Sequence, residues 1–365
     1  MASISDKIAE IEEEIKKTSY NKATQHHIGK LKAKLARLRE EGEKSSGGAA
    51  GPSYGVKKSG DATVVLVGFP SVGKSTLLNR LTNAESEVGS YDFTTLDVIP
   101  GAMEYKGAKI QVLDVPGLIA GAASGKGRGR EVISVVRNSD LILIMLDIFN
   151  MGHKAVVESE LHGAGIRVNQ KPRDLRIKKL SRGGVNISST VDLSRLDNAL
   201  IKAILSEYRV HNANVLIRED VSEEELIDAL SKNRVYVPAL MVINKVDLAP
   251  PELLKKVKNE YADAVFISAD QGANIDDLKD RIFRGLEFIH IFMKPQGEEA
   301  DLEEPLIIKK GAVVGDVCET LHRDFRRRFR FGRVWGESAR FNGQRVGLEH
   351  VLHDGDILSL VLEKG

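Results

Sequence analysis

The chain has 365 residues, a length for two or three domains. Lys plus Arg number 53 against 52 Asp plus Glu, a formal charge of +1 that at first sight argues against a polyanion partner, although a total says nothing about placement. With 42 % apolar and 29 % charged residues the composition excludes wholesale disorder, and no apolar run approaches the ~20 residues that span a bilayer. The N-terminus carries no apolar signal region, and Cys318 stands alone, so a chain that is not secreted and works in a reducing cytoplasm is expected.

Residues 1–44 read as helix. Ile8, Ile11 and Ile15, then Leu31, Leu35 and Leu38, recur at three- and four-residue steps. The less apolar middle, ending in Gly29, predicts a hairpin of two helices. Charge is segregated along it: eight basic residues and no acid lie between Lys16 and Arg39. That run reads equally well as a solvated coiled-coil face or as a surface for RNA or a partner, with Lys32 and Lys34 as contacts. Residues 45–60 are a Ser/Gly-rich linker.

From Ala62 short apolar strands alternate with helical stretches. Strands are expected at 62–67, 98–105, 109–113, 141–146, 239–243 and 264–267, with Lys106-Gly107 turning the second into the third. Helix-length connections imply right-handed crossovers and a mostly parallel sheet. About 90 residues separate 146 from 239, too many for one crossover, so an α+β segment is inserted. Strand-like pieces lie at 185–187 and 215–217. A helix at 275–289 leads to a small C-terminal unit of one strand, a helix over 314–328, and further short strands. The expected divisions are 1–44, 45–60, 61–290 with an insert at 167–222, and 291–365.

The chemistry begins at Gly68-Phe69-Pro70-Ser71-Val72-Gly73-Lys74-Ser75, followed by Thr76. A G-x-x-x-x-G-K-S loop between a strand and a helix cradles phosphates with backbone N–H groups at a helix N-terminus. Lys74 would reach the β- and γ-phosphates, and the Ser75 hydroxyl would bind Mg²⁺. Asp114-Val-Pro-Gly117 ends the third strand, where the carboxylate can hold Mg²⁺ through water and the Gly117 N–H can meet the γ-phosphate. Asn244-Lys245-Val246-Asp247 ends the fifth, and the Asp247 carboxylate can accept two hydrogen bonds from guanine. Adenine would leave that acid unpaired. Ser268-Ala269 ends the sixth, where a backbone N–H can receive the guanine carbonyl. All these motifs sit at C-terminal strand ends, the ligand side of such sheets. In Tyr91-Asp-Phe-Thr-Thr95-Leu, Thr94 and Thr95 both qualify to complete the Mg²⁺ site.

These motifs, with D-V-P-G-L-I-x-G-A, the run Gly125-Lys-Gly-Arg-Gly-Arg130 and the N-terminal N-K-A-T…I-G-K-L-K-A-K-L, resemble the developmentally regulated GTP-binding proteins of the Obg-related GTPases over essentially the whole chain. The resemblance implies an α/β P-loop GTPase domain, an N-terminal helical hairpin, an insert similar to a domain of a small-subunit ribosomal protein, and a C-terminal TGS domain of β-grasp fold. It implies GTP or GDP with Mg²⁺, and Thr95 rather than Thr94 as the Mg²⁺ threonine. Lys74, Thr95 and Gly117 would then carry catalysis. It also implies association with ribosomes or RNA in translation, and an accessory protein. Leu118 stands where many GTPases place a water-orienting glutamine, so unaided hydrolysis on the order of 10⁻⁴ to 10⁻² s⁻¹ is expected. Ser71 stands where some relatives coordinate K⁺ with asparagine, which leaves K⁺ stimulation open.

Two further basic segments point to RNA. One, 167–182, includes Arg167, Arg173, Lys178 and Lys179. The other holds Arg323, Arg326, Arg327, Arg328 and Arg330, interleaved with Phe325, Phe329 and Phe331, which spacing assigns mainly to the core. Neither a membrane nor DNA is expected as a partner. The alternative to a GTPase switch is an RNA-binding module in which GTP is structural.

Overall fold

The computed structural model describes residues 4–19, 21, 24–45, 60–82, 99–115, 129–231 and 233–363. The chain starts with helices α1 (Ile4–Lys17) and α2 (Gln25–Ser45). Then come β1 (Ala62–Val67), α3 (Lys74–Leu81), β2 (Ile99–Tyr105), β3 (Ala108–Asp114), α4 (Gly129–Arg137), β4 (Leu141–Asp147) and α5 (His153–Gly163). Next are β5 (Ile166–Val168), β6 (Leu175–Lys179), β7 (Val185–Ser189), α6 (Asn198–Glu207), β8 (Ala213–Ile217), α7 (Glu223–Leu230) and β9 (Val235–Val237). They are followed by β10 (Ala239–Asn244), α8 (Pro251–Glu260), β11 (Val265–Phe266), α9 (Ile275–Gly285) and β12 (Phe288–Met293). The chain closes with β13 (Leu306–Lys309), α10 (Val314–Leu321), α11 (Arg323–Arg328), β14 (Phe329–Trp335), β15 (Gln344–Val346) and β16 (Asp356–Leu362).

Two compact units result. One is Gly55–Glu160 with Pro238–Gly365, the other Met1–Tyr54 with Leu161–Val237. In the first, a six-stranded sheet runs β11-β10-β4-β1-β3-β2. All its pairs are parallel except the β2–β3 hairpin. β1 and β4 are buried along their whole length, as a sheet covered on both faces requires. A second sheet, β13-β12-β16-β14-β15, packs α10 against Ile291, Val334 and Leu358.

The helix expected to run through residue 289 stops at Gly285, and Phe288–Met293 is a strand that straddles the division placed at 290/291. Glu287 takes a left-handed φ of 51°, which breaks the helix, and the alternating F-I-H-I-F-M favours the sheet. The helix expected over 314–328 is likewise two. His322, extended at φ −164°, caps the C-terminus of one and the N-terminus of the other.

In the second unit β6-β8-β7 form a three-stranded sheet backed by α6 and α7. β6 was read only as a basic segment, although Leu175 and Ile177 alternate inward with Arg176 and Lys178 outward. The apolar run 235–243 divides at Pro238. β9 pairs with β5 in this unit, while β10 joins the large sheet. The α1–α2 hairpin closes on Ile11, Leu31 and Leu38. Its other side carries Gly29 and Ala33, small enough for α6 to approach. A Cβ on Gly29 would lie 2.8 Å from Leu200 Cδ1, and Ala33 is fully buried in the α6/α7 core.

Candidate nucleotide site

The phosphate loop, residues 68–75, joins β1 to α3. Gly68 lies so close to β4 that a Cβ would sit 2.5 Å from the Met145 carbonyl oxygen. Gly73 has φ 94°, a conformation that glycine adopts without strain, and any side chain there would strike the Asn244 amide. Lys74 Nζ donates to the carbonyls of Gly68 and Phe69, each at 3.1 Å. Burial pushes its pKa below the ordinary value, against the opposing pull of Asp114.

The Ser75 hydroxyl donates to Asp114 Oδ2 at 2.7 Å, while Asp114 Oδ1 is buried with no hydrogen-bond partner among the described residues. Two hard oxygen donors side by side, one carboxylate oxygen unsatisfied, fit a small divalent cation such as Mg²⁺. Thr95, Gly117 and Leu118 lie outside the described residues.

At the other end of the site Asn244 is a strut. Its amide donates to Val72 O at 2.8 Å, and its oxygen accepts from Ala269 N–H at 2.9 Å. It thereby locks the phosphate loop to the loop after β11. The Ala269 N–H is thereby engaged by the buried Asn244 amide oxygen, which needs a donor. The Ser268 hydroxyl accepts from Gln271 N–H. Asp247 is exposed in a short 3-10 turn, Val246–Leu248. Lys245, with φ 67°, turns its ammonium to Asp147 at 2.7 Å.

Sequence reasoning missed three residues here. Asp147 ends β4 at the sheet's ligand edge, a position that should have marked it. Arg80, on α3, donates to the Ala269 and Asp270 carbonyls and tethers the β11 loop. His153, at the start of α5, stacks on Phe69 of the phosphate loop. Neither Arg80 nor His153 had a motif to announce it.

The basic segments fare unevenly. Lys32, one of the candidate RNA contacts, is engaged with Glu224 at 2.7 Å and Glu223 at 3.3 Å. Arg167 is buried and gripped by Asp228, and Arg173 pairs with Glu225 and Glu219. Acids distant in sequence supply these partners, which a count along the run cannot see. Arg326 pairs with Glu319, Arg327 with Asp324 at 3.8 Å, and Arg328 donates to the Glu363 carbonyl. Lys34, Lys178, Lys179, Arg323 and Arg330 are exposed. Phe325 and Phe329 pack on the core, whereas Phe331 lies beneath Arg345, 4.2 Å from its ring centroid.

Residues 63–179 match the family described as 50S ribosome-binding GTPase, residues 182–288 the C-terminal region of that domain, and residues 289–362 the TGS domain. The chain is 58 % identical over 365 residues to an uncharacterized GTP-binding protein of Methanocaldococcus jannaschii, covering 99 % of this chain and 93 % of that protein. It is 47 % identical to Developmentally-regulated G-protein 3 of Arabidopsis thaliana, covering 99 % of each chain. To Developmentally-regulated GTP-binding protein 1 of Xenopus laevis it is 45 % identical, covering 97 % and 98 %.

Proposed function

Since this chain belongs to the developmentally regulated GTP-binding proteins and carries their GTPase and TGS domains, we propose that it is a slow GTP-hydrolysing switch that acts on the ribosome in the cytoplasm. The observation that carries the nucleotide reading is the Asn244 strut, which holds the phosphate loop against the loop after β11 at the ligand edge of the sheet. In this reading residues 68–76 and Lys74 cradle the phosphates, and Asp247 accepts from the guanine ring. Ser75, Asp114 and Thr95 would hold Mg²⁺, which neutralises charge growing on the phosphate oxygens. Gly117 would report the γ-phosphate. Leu118 cannot orient a water molecule by hydrogen bonding, so hydrolysis stays slow until a partner or K⁺ supplies what is missing.

The ribosomal reading is supported by the family's description as ribosome-binding and by the exposed Lys34, Lys178, Lys179, Arg323 and Arg330, with the accessory protein as a stabilising partner. It is tested by co-sedimenting the full chain with ribosomes in GTP, GDP and a non-hydrolysable GTP analogue at two salt concentrations. A switch binds more tightly in the GTP forms. Equal binding in all three supports the alternative, an RNA tether with structural GTP, because a ligand without differential affinity shifts nothing. No binding at either salt overturns the ribosomal reading.

A further inference from the structure

We propose that His153 is a positioning residue for the phosphate loop and acts through Phe69. The proposal rests on the reading of residues 68–75 as that loop.

Phe69 does two things at once. Its carbonyl accepts from Lys74 Nζ at 3.1 Å, and its ring lies on the His153 imidazole with centroids 4.0 Å apart and planes 14° from parallel. Phe69 also precedes Pro70, which disfavours the helical region for its backbone. A ring pinned on His153 leaves that restricted residue fewer ways to carry its carbonyl away from Lys74.

His153 Nδ1 is buried and has no hydrogen-bond partner among the described residues. The ring contributes its face at this position, not a hydrogen bond. It is also well anchored. His153 opens α5, and its N–H donates to Asn150 O at 3.2 Å. The same connection begins at Asp147, which accepts from Phe149 N–H at 2.9 Å and pairs with Lys245 at 2.7 Å. Residues 147–153 thus brace both halves of the site: Lys245 on the base-reading side and Phe69 on the phosphate side.

The test measures release of a fluorescent GDP analogue from the full chain, together with the ³¹P resonances of bound GDP. His153→Ala and Phe69→Leu are each expected to speed release about 3- to 10-fold, the range a lost aromatic stack supports. Each should move the β-phosphate resonance more than the α. The double variant should be no faster than the faster single one, since both remove one contact. His153→Phe keeps the face and should stay within about 2-fold of the parent. Thermal unfolding checks that each variant is folded, and Phe69→Leu carries the test if His153→Ala is not. Unchanged release in both single variants, additive effects in the double, or a Phe variant as fast as Ala would overturn the proposal. Lys74→Ala separates the two readings. If it leaves GDP release unchanged, the phosphate-loop reading itself fails. If it accelerates release while His153→Ala does not, only the present inference falls.

Discussion

At the scale of single residues, the site divides into groups that would meet a ligand and groups that hold them. Asp247 belongs to the first. Asp247→Asn exchanges an acceptor pair for one acceptor and one donor, and is expected to shift preference from guanine to xanthine nucleotides. Competition binding with GDP and XDP checks this, and unchanged guanine selectivity counts against the assignment. Asn244 belongs to the second. Asn244→Ala leaves the Val72 carbonyl and the Ala269 N–H without their partner, so a stability loss of about 1–3 kcal/mol is expected by urea denaturation, alongside weaker nucleotide binding. The motif residues were legible because their chemistry is stated locally, within a few positions of a strand end. Asn244 was legible by position but not by role. Its contacts reach the phosphate loop and the β11 loop, and only folding brings those three loops to one edge.

At the scale of elements, long apolar strands such as β1 and β4 were plain in the sequence. The marginal ones were not. β6 alternates correctly, yet Arg176, Lys178 and Lys179 drew attention to charge over period. α9 and β12 merged because only the backbone turn at Glu287 separates them. The α2–α7 contact makes an element-scale prediction. Burial alone would lower the Lys32 pKa, but hydrogen bonding and attraction to Glu224, then Glu223, raise it above its ordinary value. Glu224, which burial would push up, is held below its ordinary value by Lys32.

The Lys32 contribution is therefore complete below an unfolded-state pKa of about 10.4, and is lost as pH rises through the folded value. The Glu224 contribution is complete above about 4.3 and is lost as pH falls. Lys32→Ala, which removes the charged hydrogen bonds to Glu224 and Glu223, is expected to cost about 1–3 kcal/mol near neutrality. The deficit should shrink at both pH extremes, as read from denaturation at about pH 4, 7 and 10.5. Its RNA salt dependence should match the parent's; a shallower slope would return Lys32 to the RNA surface.

At the scale of the whole molecule, the near-zero net charge is a sum over unlike patches, many of them neutralised by acids far away in the chain. Fold class and the order of motifs were legible because each repeats a local rule. The pairing of the N-terminal helices with the inserted segment was not, because Gly29 and Ala33 look like weak positions in a helix until Leu200 is set against them. Removing residues 1–44 is accordingly expected to loosen α6, not merely to delete a hairpin. Hydrogen exchange should rise across 198–207 while β1 and β4 stay protected. Unchanged exchange in α6 would show that the insert is self-sufficient.

That pairing also sets a timetable for biosynthesis. The Gln25 side chain donates to the Arg195 carbonyl across 170 residues of chain. At about 5–20 residues per second, α2 waits roughly 10–30 s after emerging before α6 exists to meet it. The larger side chains, Leu31 and Leu38, can be covered at once by α1, and the face left waiting sets the small Gly29 and Ala33 among polar Gln25, Lys32 and Arg37. Small residues offer little area for a nascent chain to stick by, so the surface left exposed longest is the one least prone to wrong association.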